Sequence, residues 1–151
     1  MCRSHSLHDL FIKDFFDKQF YDIPHYNHTD HIAHHYAQQS MEQMRHRKEE
    51  VLIEAFFDSK CHFKGDVVIS KGSVNFAYVS PREIFRHAFA YDAVMFILLH
   101  NHPSGDPTPS EDDMRITYRI NKGAQILELQ LIDHIIIGDN QYYSFKEHEQ
   151  I

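Results

Sequence analysis

Residues 93–113 read AVMFILLHNHPSGDPTPSEDD, and the centre of the predicted fold lies in this stretch. Its first seven residues are all apolar and lead directly into His100, which is typical of a strand that is buried on both faces of a sheet. Three prolines then stiffen a loop, and Ser110 with the acidic residues after it is a typical helix start. The stretch therefore predicts a buried strand, a rigid loop and a helix in succession.

The sequence on either side extends this unit to a mixed sheet. Apolar and β-branched runs predict strands, and apolar residues at spacings of three and four predict helices. The predicted strands are 51–57, 66–70, 75–80, 93–100, 129–137 and 141–145, and the predicted helices are 29–48, 81–92 and 111–127. The fold class is α/β in the α+β sense, a mixed β-sheet packed with helices.

Three local signals refine these elements. Ser80, Pro81 and Glu83 together predict a helix start with a capping box. Gly123, within the last helix, predicts either a break or a close approach of another group. Residues 1–26 hold aromatic clusters without a sustained period, and they predict a short helix or an adhering arm.

Composition narrows the class of protein. The 151 residues suit one domain, with 42% hydrophobic and 25% charged residues and no apolar run of membrane-spanning length. A net charge of -7 without a basic block opposes direct nucleic-acid binding. The N-terminus lacks a signal peptide, and two cysteines give no disulfide framework. We therefore expect a cytoplasmic protein without a membrane partner; its oligomeric state is not readable.

His100 and His102 form the strongest candidate site. In an extended chain their side chains project to the same side with Cα atoms roughly 7 Å apart, so both imidazoles can reach one ion. A hydrolytic zinc usually takes three protein ligands and leaves a fourth position to water, so a further ligand is needed. Three acids after Ser110 compete for that place: Glu111, Asp112 and Asp113. Taken separately, His100 and His102 are also typical of a surface histidine pair, and the acids after Ser110 are also typical of ordinary helix capping.

The whole segment resembles the JAMM (MPN+) metalloprotease motif. That motif is His-x-His, seven residues, Ser, two residues and Asp, and HNHPSGDPTPS is similar to its RadC-like branch. Its spacing selects Asp113 among the three acids. GSVN, SPREIF and LIDHIIIG also lie in the order of similar RadC-like segments, so the resemblance covers about residues 49–145. It implies a cytidine-deaminase-like JAMM fold, with a domain at 49–148 preceded by a histidine-rich helical extension at 1–48.

The resemblance also implies roles for individual residues. A zinc ion (Zn²⁺) would be held by His100, His102 and Asp113 with a water in the open position, and Ser110 would stabilise an oxyanion or position that water. A glutamate at the start of an early strand would act as general base, and the match falls on Glu50. Glu49 and Glu54 remain alternatives, and the other interpretation of all three glutamates is a solvated charge.

Two further histidine features stay open. Asp133 and His134 match the family's Asp-His, and the sequence predicts either partners of the metal ligands or a buried, hydrogen-bonded pair. Eight of the 14 histidines precede residue 48, and His31 and His35 share a helix face. Because the helical zinc-peptidase glutamate is missing there, we predict a polar face that collects metal weakly, and we assign no site.

The function implied by the resemblance is a zinc metallopeptidase or isopeptidase. Its substrate would be a peptide or protein, with the C-terminus of a ubiquitin-like protein as one candidate. The alternatives are a non-catalytic MPN-type interaction module and an accessory of DNA repair or mobile elements. In full-length RadC-like proteins, a module that resembles a helix-hairpin-helix precedes the JAMM domain. No such pattern precedes Glu50 here, so a DNA role is not transferred.

Overall fold

A computed structural model describes residues 29–72 and 79–151 of the chain. These ranges contain three helices and five strands. In chain order they are α1 (Thr29–Met44), β1 (Glu50–Phe57), β2 (Phe63–Gly72), α2 (Pro81–Ala90), β3 (Met95–Asn101), α3 (Glu111–Ile126), β4 (Gln130–Ile137) and β5 (Tyr142–Ser144). No helix within these ranges is long and apolar enough to cross a membrane.

The five strands form one mixed sheet in the order β2-β1-β3-β4-β5. β3 and β4 are parallel, and the other neighbouring pairs are antiparallel. A parallel pair needs a crossover connection, and here α3 supplies it. β3 therefore occupies the centre of the sheet, where every one of its residues is buried. The predicted mixed sheet packed with helices is confirmed.

Helices cover both faces of the sheet. α1 packs on one face, in a core with Tyr36, Val51, Ile53, Ile97 and Leu99 among its members. α2 and α3 pack on the other, in a core that includes Leu52, Phe56, Phe96, Leu98 and Ile120. Burial on both faces explains why β1 and β3 are continuously apolar rather than alternating. α1 thus shares the first core with the sheet. The division of the chain into an extension at 1–48 and a domain at 49–148 stays a prediction.

Two predicted helix ends differ from the structure. α1 ends at Met44 rather than near Lys48, because the residues after Met44 are charged and offer no apolar side chain to the core. The capping box predicted at Ser80 is wrong, since the Ser80 side chain makes no capping hydrogen bond. Glu83 instead lies beside Arg86 (3.5 Å), so its carboxylate turns outward rather than back toward Ser80.

The close approach predicted at Gly123 is confirmed. α3 continues through this glycine without a break, and a Cβ placed there would lie 2.7 Å from Cε2 of Phe85 in α2. The missing side chain lets the two helices pack closely. The arm predicted at residues 1–26 lies outside the described residues, as does most of the strand predicted at 75–80; Val79 and Ser80 are not in a strand.

Candidate metal centre

His100 lies near the end of the central strand β3, and His102 directly follows that strand, beside β4. His100 is fully buried and pairs with Leu52 of β1 and Ile136 of β4. The backbone N–H of His102 donates to the Ile137 carbonyl at 2.9 Å, which holds the residue after the strand against the sheet. The Nε2 atoms of the two histidine rings lie 3.0 Å apart. Both imidazoles therefore reach one point.

Asp113 turns back toward that point from the first turn of α3. Ser110 is the N-cap, and a reciprocal capping box joins it to Asp113. Asp113 Oδ2 accepts hydrogen bonds from the Ser110 backbone N–H and hydroxyl, both at 2.7 Å, and lies 3.4 Å from His102 Nε2. Asp113 Oδ1 lies 3.2 Å from His100 Nε2. Oδ2 thus caps the helix and faces His102, while Oδ1 faces His100.

The two neighbouring acids point away from the histidines or into solvent. Asp112 is exposed and forms an ion pair with Arg115 at 3.0 Å. Glu111 is exposed at the first position of the helix. Successive helical residues are about 100° apart around the axis, so only one of the three acids can face His100.

The loop between the two halves of the centre also orients His102. Its Nδ1 lies 2.8 Å from the Asp106 carbonyl oxygen, which can only accept, so Nδ1 carries a proton and Nε2 keeps its lone pair. Gly105, at φ +84°, accepts a hydrogen bond from the Asp139 N–H at 3.0 Å. A Cβ on Gly138 would lie 2.4 Å from the Gly105 carbonyl oxygen. These glycines let the loop dock on the β4–β5 turn.

The donor set fits a zinc ion. Tetrahedral bonds of about 2.0–2.2 Å place neighbouring donor atoms about 3.3–3.6 Å apart. His100 Nε2 lies 3.0 Å from His102 Nε2 and 3.2 Å from Asp113 Oδ1, and His102 Nε2 lies 3.4 Å from Asp113 Oδ2, so the three side chains are about as close together as zinc ligands are. Asp113 Oδ1 is buried and has no hydrogen-bond partner among the described residues, which leaves it available to a cation. Two imidazoles and a carboxylate are ligands that zinc prefers.

The pKa shifts of Asp113 and His100 favour the deprotonated forms that bind a metal. Burial opposes ionisation of Asp113, but the close contacts with His100 and His102 and the hydrogen bonds from Ser110 outweigh it and hold the pKa of that carboxyl well below its usual range. Burial lowers the pKa of His100. For His102, burial acts in the same direction, but contacts with Asp113 and the Asp106 carbonyl raise its pKa.

Glu50 is the glutamate nearest to this centre. It begins β1, is half-buried, and has a carboxylate oxygen that lies with the ring nitrogens of His100 and His102 in a group no wider than 4.8 Å. Glu49 is exposed and lies 3.8 Å from Lys71. The position of Glu50 suits either a further ligand or a base beside a metal-held water.

Glu54 lies deeper along the same strand, opposite Leu98 rather than His100. It is fully buried, so the solvated-charge interpretation is wrong for this residue. Neither of its carboxylate oxygens has a hydrogen-bond partner among the described residues, and His87 Nδ1 lies 3.8 Å away. Burial raises the pKa of Glu54 well above its ordinary value of 4.5. The side chain is a structural liability inside the apolar core between β1 and α2.

Replacing Glu54 by methionine should therefore stabilise the protein. Methionine has a similar length and carries no group that needs a hydrogen bond, so the free energy of unfolding should rise by about 1–3 kcal/mol near neutral pH. Urea denaturation of the variant and the wild type measures the difference. A variant that is less stable than the wild type would mean that Glu54 has a stabilising partner in solution.

Glu54→Gln is the matched control for ionisation. Because the pKa of Glu54 is higher in the folded than in the unfolded chain, the wild type binds more protons when folded. Its stability relative to the glutamine variant should fall as the pH rises above the ordinary pKa of 4.5, since the unfolded carboxyl ionises first and the folded one stays protonated to higher pH. Parallel pH profiles of the two proteins would show that the carboxyl ionises freely in the folded state.

The side chains of Asp133 and His134 contact different groups. Asp133 accepts hydrogen bonds from the Ser144 hydroxyl at 2.5 Å and the Lys146 N–H at 3.0 Å, and burial raises its pKa to about 6. It anchors the segment after β4. His134 is fully buried, and its Nε2 lies 2.8 Å from Nδ1 of His100. Of the two residues, His134 thus contacts the candidate ligand.

Sequence reasoning missed Thr117 altogether. Its side chain is buried in α3, and its hydroxyl lies 2.6 Å from His134 Nδ1. The one signal in the sequence is its position four residues after Asp113, which places both on one helix face. The histidine face predicted at His31 and His35 stays a prediction, because the side chain of His31 lies outside the described residues.

Comparisons with known proteins identify the family of the chain. The family model described as "RadC-like JAB domain" matches residues 29–150. The chain is 48% identical over 107 residues to a UPF0758 protein of Desulfitobacterium hafniense, covering 71% of this chain and 47% of the relative. Similar proteins of Carboxydothermus hydrogenoformans (45% over 101 residues; 67% and 45%) and Methanosarcina mazei (41% over 105 residues; 70% and 46%) carry the same name. The chain spans less than half the length of these relatives.

Proposed function

The chain belongs to the RadC-like JAB domain family, and we propose that it is a zinc-dependent hydrolase that cleaves amide bonds as a peptidase or isopeptidase. The observation that carries this proposal is the convergence of His100 Nε2, His102 Nε2 and the Asp113 carboxylate, with Glu50 beside the two rings. Three ligands and an adjacent base are the parts that a hydrolytic zinc site requires.

Each residue has a defined task in this reaction. His100, His102 and Asp113 would hold the zinc ion, which would supply a Lewis acid for the carbonyl oxygen and would lower the pKa of a water from 15.7 toward about 7. Glu50 takes the proton of the attacking water and returns it to the nitrogen of the leaving amine. Ser110 holds Asp113 Oδ2 through its N–H and hydroxyl, which keeps the carboxylate turned toward the histidines. An oxyanion role for Ser110 remains a prediction.

The substrate class follows from the same chemistry. A metal-activated water with a carboxylate base suits an unactivated amide, and we propose a peptide or protein substrate cut at a peptide or isopeptide bond. A segment that ends like a ubiquitin-like C-terminus is one candidate. The acidic net charge of -7 argues against a nucleic-acid substrate.

A cleavage screen with metal removal tests this function. Zinc-loaded protein is incubated with peptides from a digested bacterial proteome and with a synthetic peptide whose lysine Nζ is acylated by a glycine-ended peptide, and products are identified by mass spectrometry. We expect new amide cleavages that a chelator abolishes and added zinc restores. If zinc-loaded protein cleaves neither kind of bond, the hydrolase is rejected and the interaction module takes its place.

A further inference from the structure

A chain of buried polar contacts runs behind His100, on the side away from His102. His100 Nδ1 lies 2.8 Å from His134 Nε2, and His134 Nδ1 lies 2.6 Å from the Thr117 hydroxyl. The hydroxyl in turn donates to the Asp113 backbone carbonyl at 2.6 Å. His100, His134 and Thr117 are each at most 1% exposed, so water does not compete for these contacts.

The direction of each hydrogen bond in this series of contacts follows from its last member, the Asp113 backbone carbonyl. The Asp113 carbonyl can only accept, so the single proton of the Thr117 hydroxyl is directed at it. The hydroxyl must then accept from His134 Nδ1, which therefore carries the proton of the neutral ring. His134 Nε2 is left with a lone pair and accepts from Nδ1–H of His100.

The consequence reaches the metal centre. With its proton on Nδ1, His100 keeps a lone pair on Nε2, the atom that lies 3.2 Å from Asp113 Oδ1 and 3.0 Å from His102 Nε2. The opposite tautomer would direct an N–H at that point and would have to be reversed before a metal could bind. We propose that Thr117 is a positioning residue that sets the tautomer of His100 through His134 and so prepares the site for a divalent metal.

The packing around His134 holds this arrangement in place. The His134 ring stacks on Phe145, with centroids 4.9 Å apart and planes 7° from parallel. A stacked, buried ring cannot turn over without moving Phe145, so a change at Thr117 must act through proton positions. Because Thr117 lies one helical turn after Asp113, its side chain links the backbone of Asp113 to the ring of His134, which in turn contacts His100.

The role of Thr117 rests on the proposed metal site, so the first measurement uses metal-free protein. Two-bond ¹H–¹⁵N correlation spectra at about pH 8, where imidazoles are neutral, report which ring nitrogen carries the proton. In the wild type we expect His100 and His134 both protonated at Nδ1. A wild-type His100 protonated at Nε2 would overturn the proposal without any variant, and a wild type that binds no zinc would reject the metal site alone.

Thr117→Val and Thr117→Ser separate the relay from packing. Valine keeps the volume but removes the hydroxyl, so the proton of His134 should move to Nε2, the proton of His100 should follow to its own Nε2, and zinc affinity should fall about 10- to 100-fold. Serine keeps the hydroxyl but leaves a small cavity, and both tautomers and affinity should stay near wild type. A serine variant as impaired as the valine variant, or a valine variant with unchanged tautomers and affinity, would overturn the proposal.

Discussion

Asp113→Ala should weaken zinc binding by about 100-fold or more. Loss of an outer hydrogen-bond partner of a metal ligand already costs about 10- to 100-fold, and this change removes a ligand itself. It also leaves His100 and His102 without the carboxylate that faces both rings at 3.2 and 3.4 Å. Titration of the purified variant against a competing chelator measures the affinity.

Asp112→Ala is the matched control, because it removes the same charge one position earlier in the same helix. Asp112 pairs with Arg115 at the surface, so its loss should cost at most about 1 kcal/mol of stability and leave zinc affinity unchanged. Glu111→Ala should behave in the same way. An Asp113→Ala affinity equal to that of these variants would remove Asp113 from the ligand set.

Glu50→Gln should lower amide hydrolysis by about 10²- to 10⁴-fold while zinc stays bound, because glutamine keeps the shape of the side chain and loses the base. Zinc content is measured on the same preparation, and the rate is measured on any substrate that the cleavage screen identifies. Retained zinc with a lost rate separates a base from a ligand, which the position of Glu50 alone does not.

Glu54→Gln is the control within the same strand. Glu54 lies opposite Leu98 and is enclosed by the core, so its rate should equal that of the wild type. Glu49→Gln should also be active, since Glu49 is exposed beside Lys71. If Glu50→Gln cleaves normally and Glu54→Gln does not, the general base has been assigned to the wrong glutamate.

Much of the fold was readable because the central strand carries its own signal. A continuous apolar run predicts burial on both faces, and β3 is buried at every position. The turn residues after it, with Ser110 before the acids, predict the start of α3 where the structure has it. Strand alternation likewise predicts that His100 and His102 project to one side. Local rules leave three acids after Ser110 as candidates, and the resemblance to the JAMM motif is what selects Asp113.

The remaining features depend on contacts that the local sequence does not encode. Glu54 looks like a solvated charge until α2 is placed over β1 and encloses it. The capping-box motif at Ser80 is complete in the sequence, but the capping hydrogen bond does not form because Glu83 pairs with Arg86 instead. Thr117 acquires its partner only when α3 packs against β4 and brings His134 within 2.6 Å. Each of these requires tertiary packing, which overrides local preference.

Anomalous diffraction at the zinc absorption edge tests the central claim most directly. A crystal of the full chain grown with one equivalent of zinc should show one strong peak within about 2.0–2.2 Å of His100 Nε2, His102 Nε2 and an Asp113 carboxylate oxygen. Glu50 should lie close to the peak without replacing any of the three. A zinc peak bound instead by the histidines before residue 48, or a peak without Asp113 among its ligands, would contradict the proposed centre.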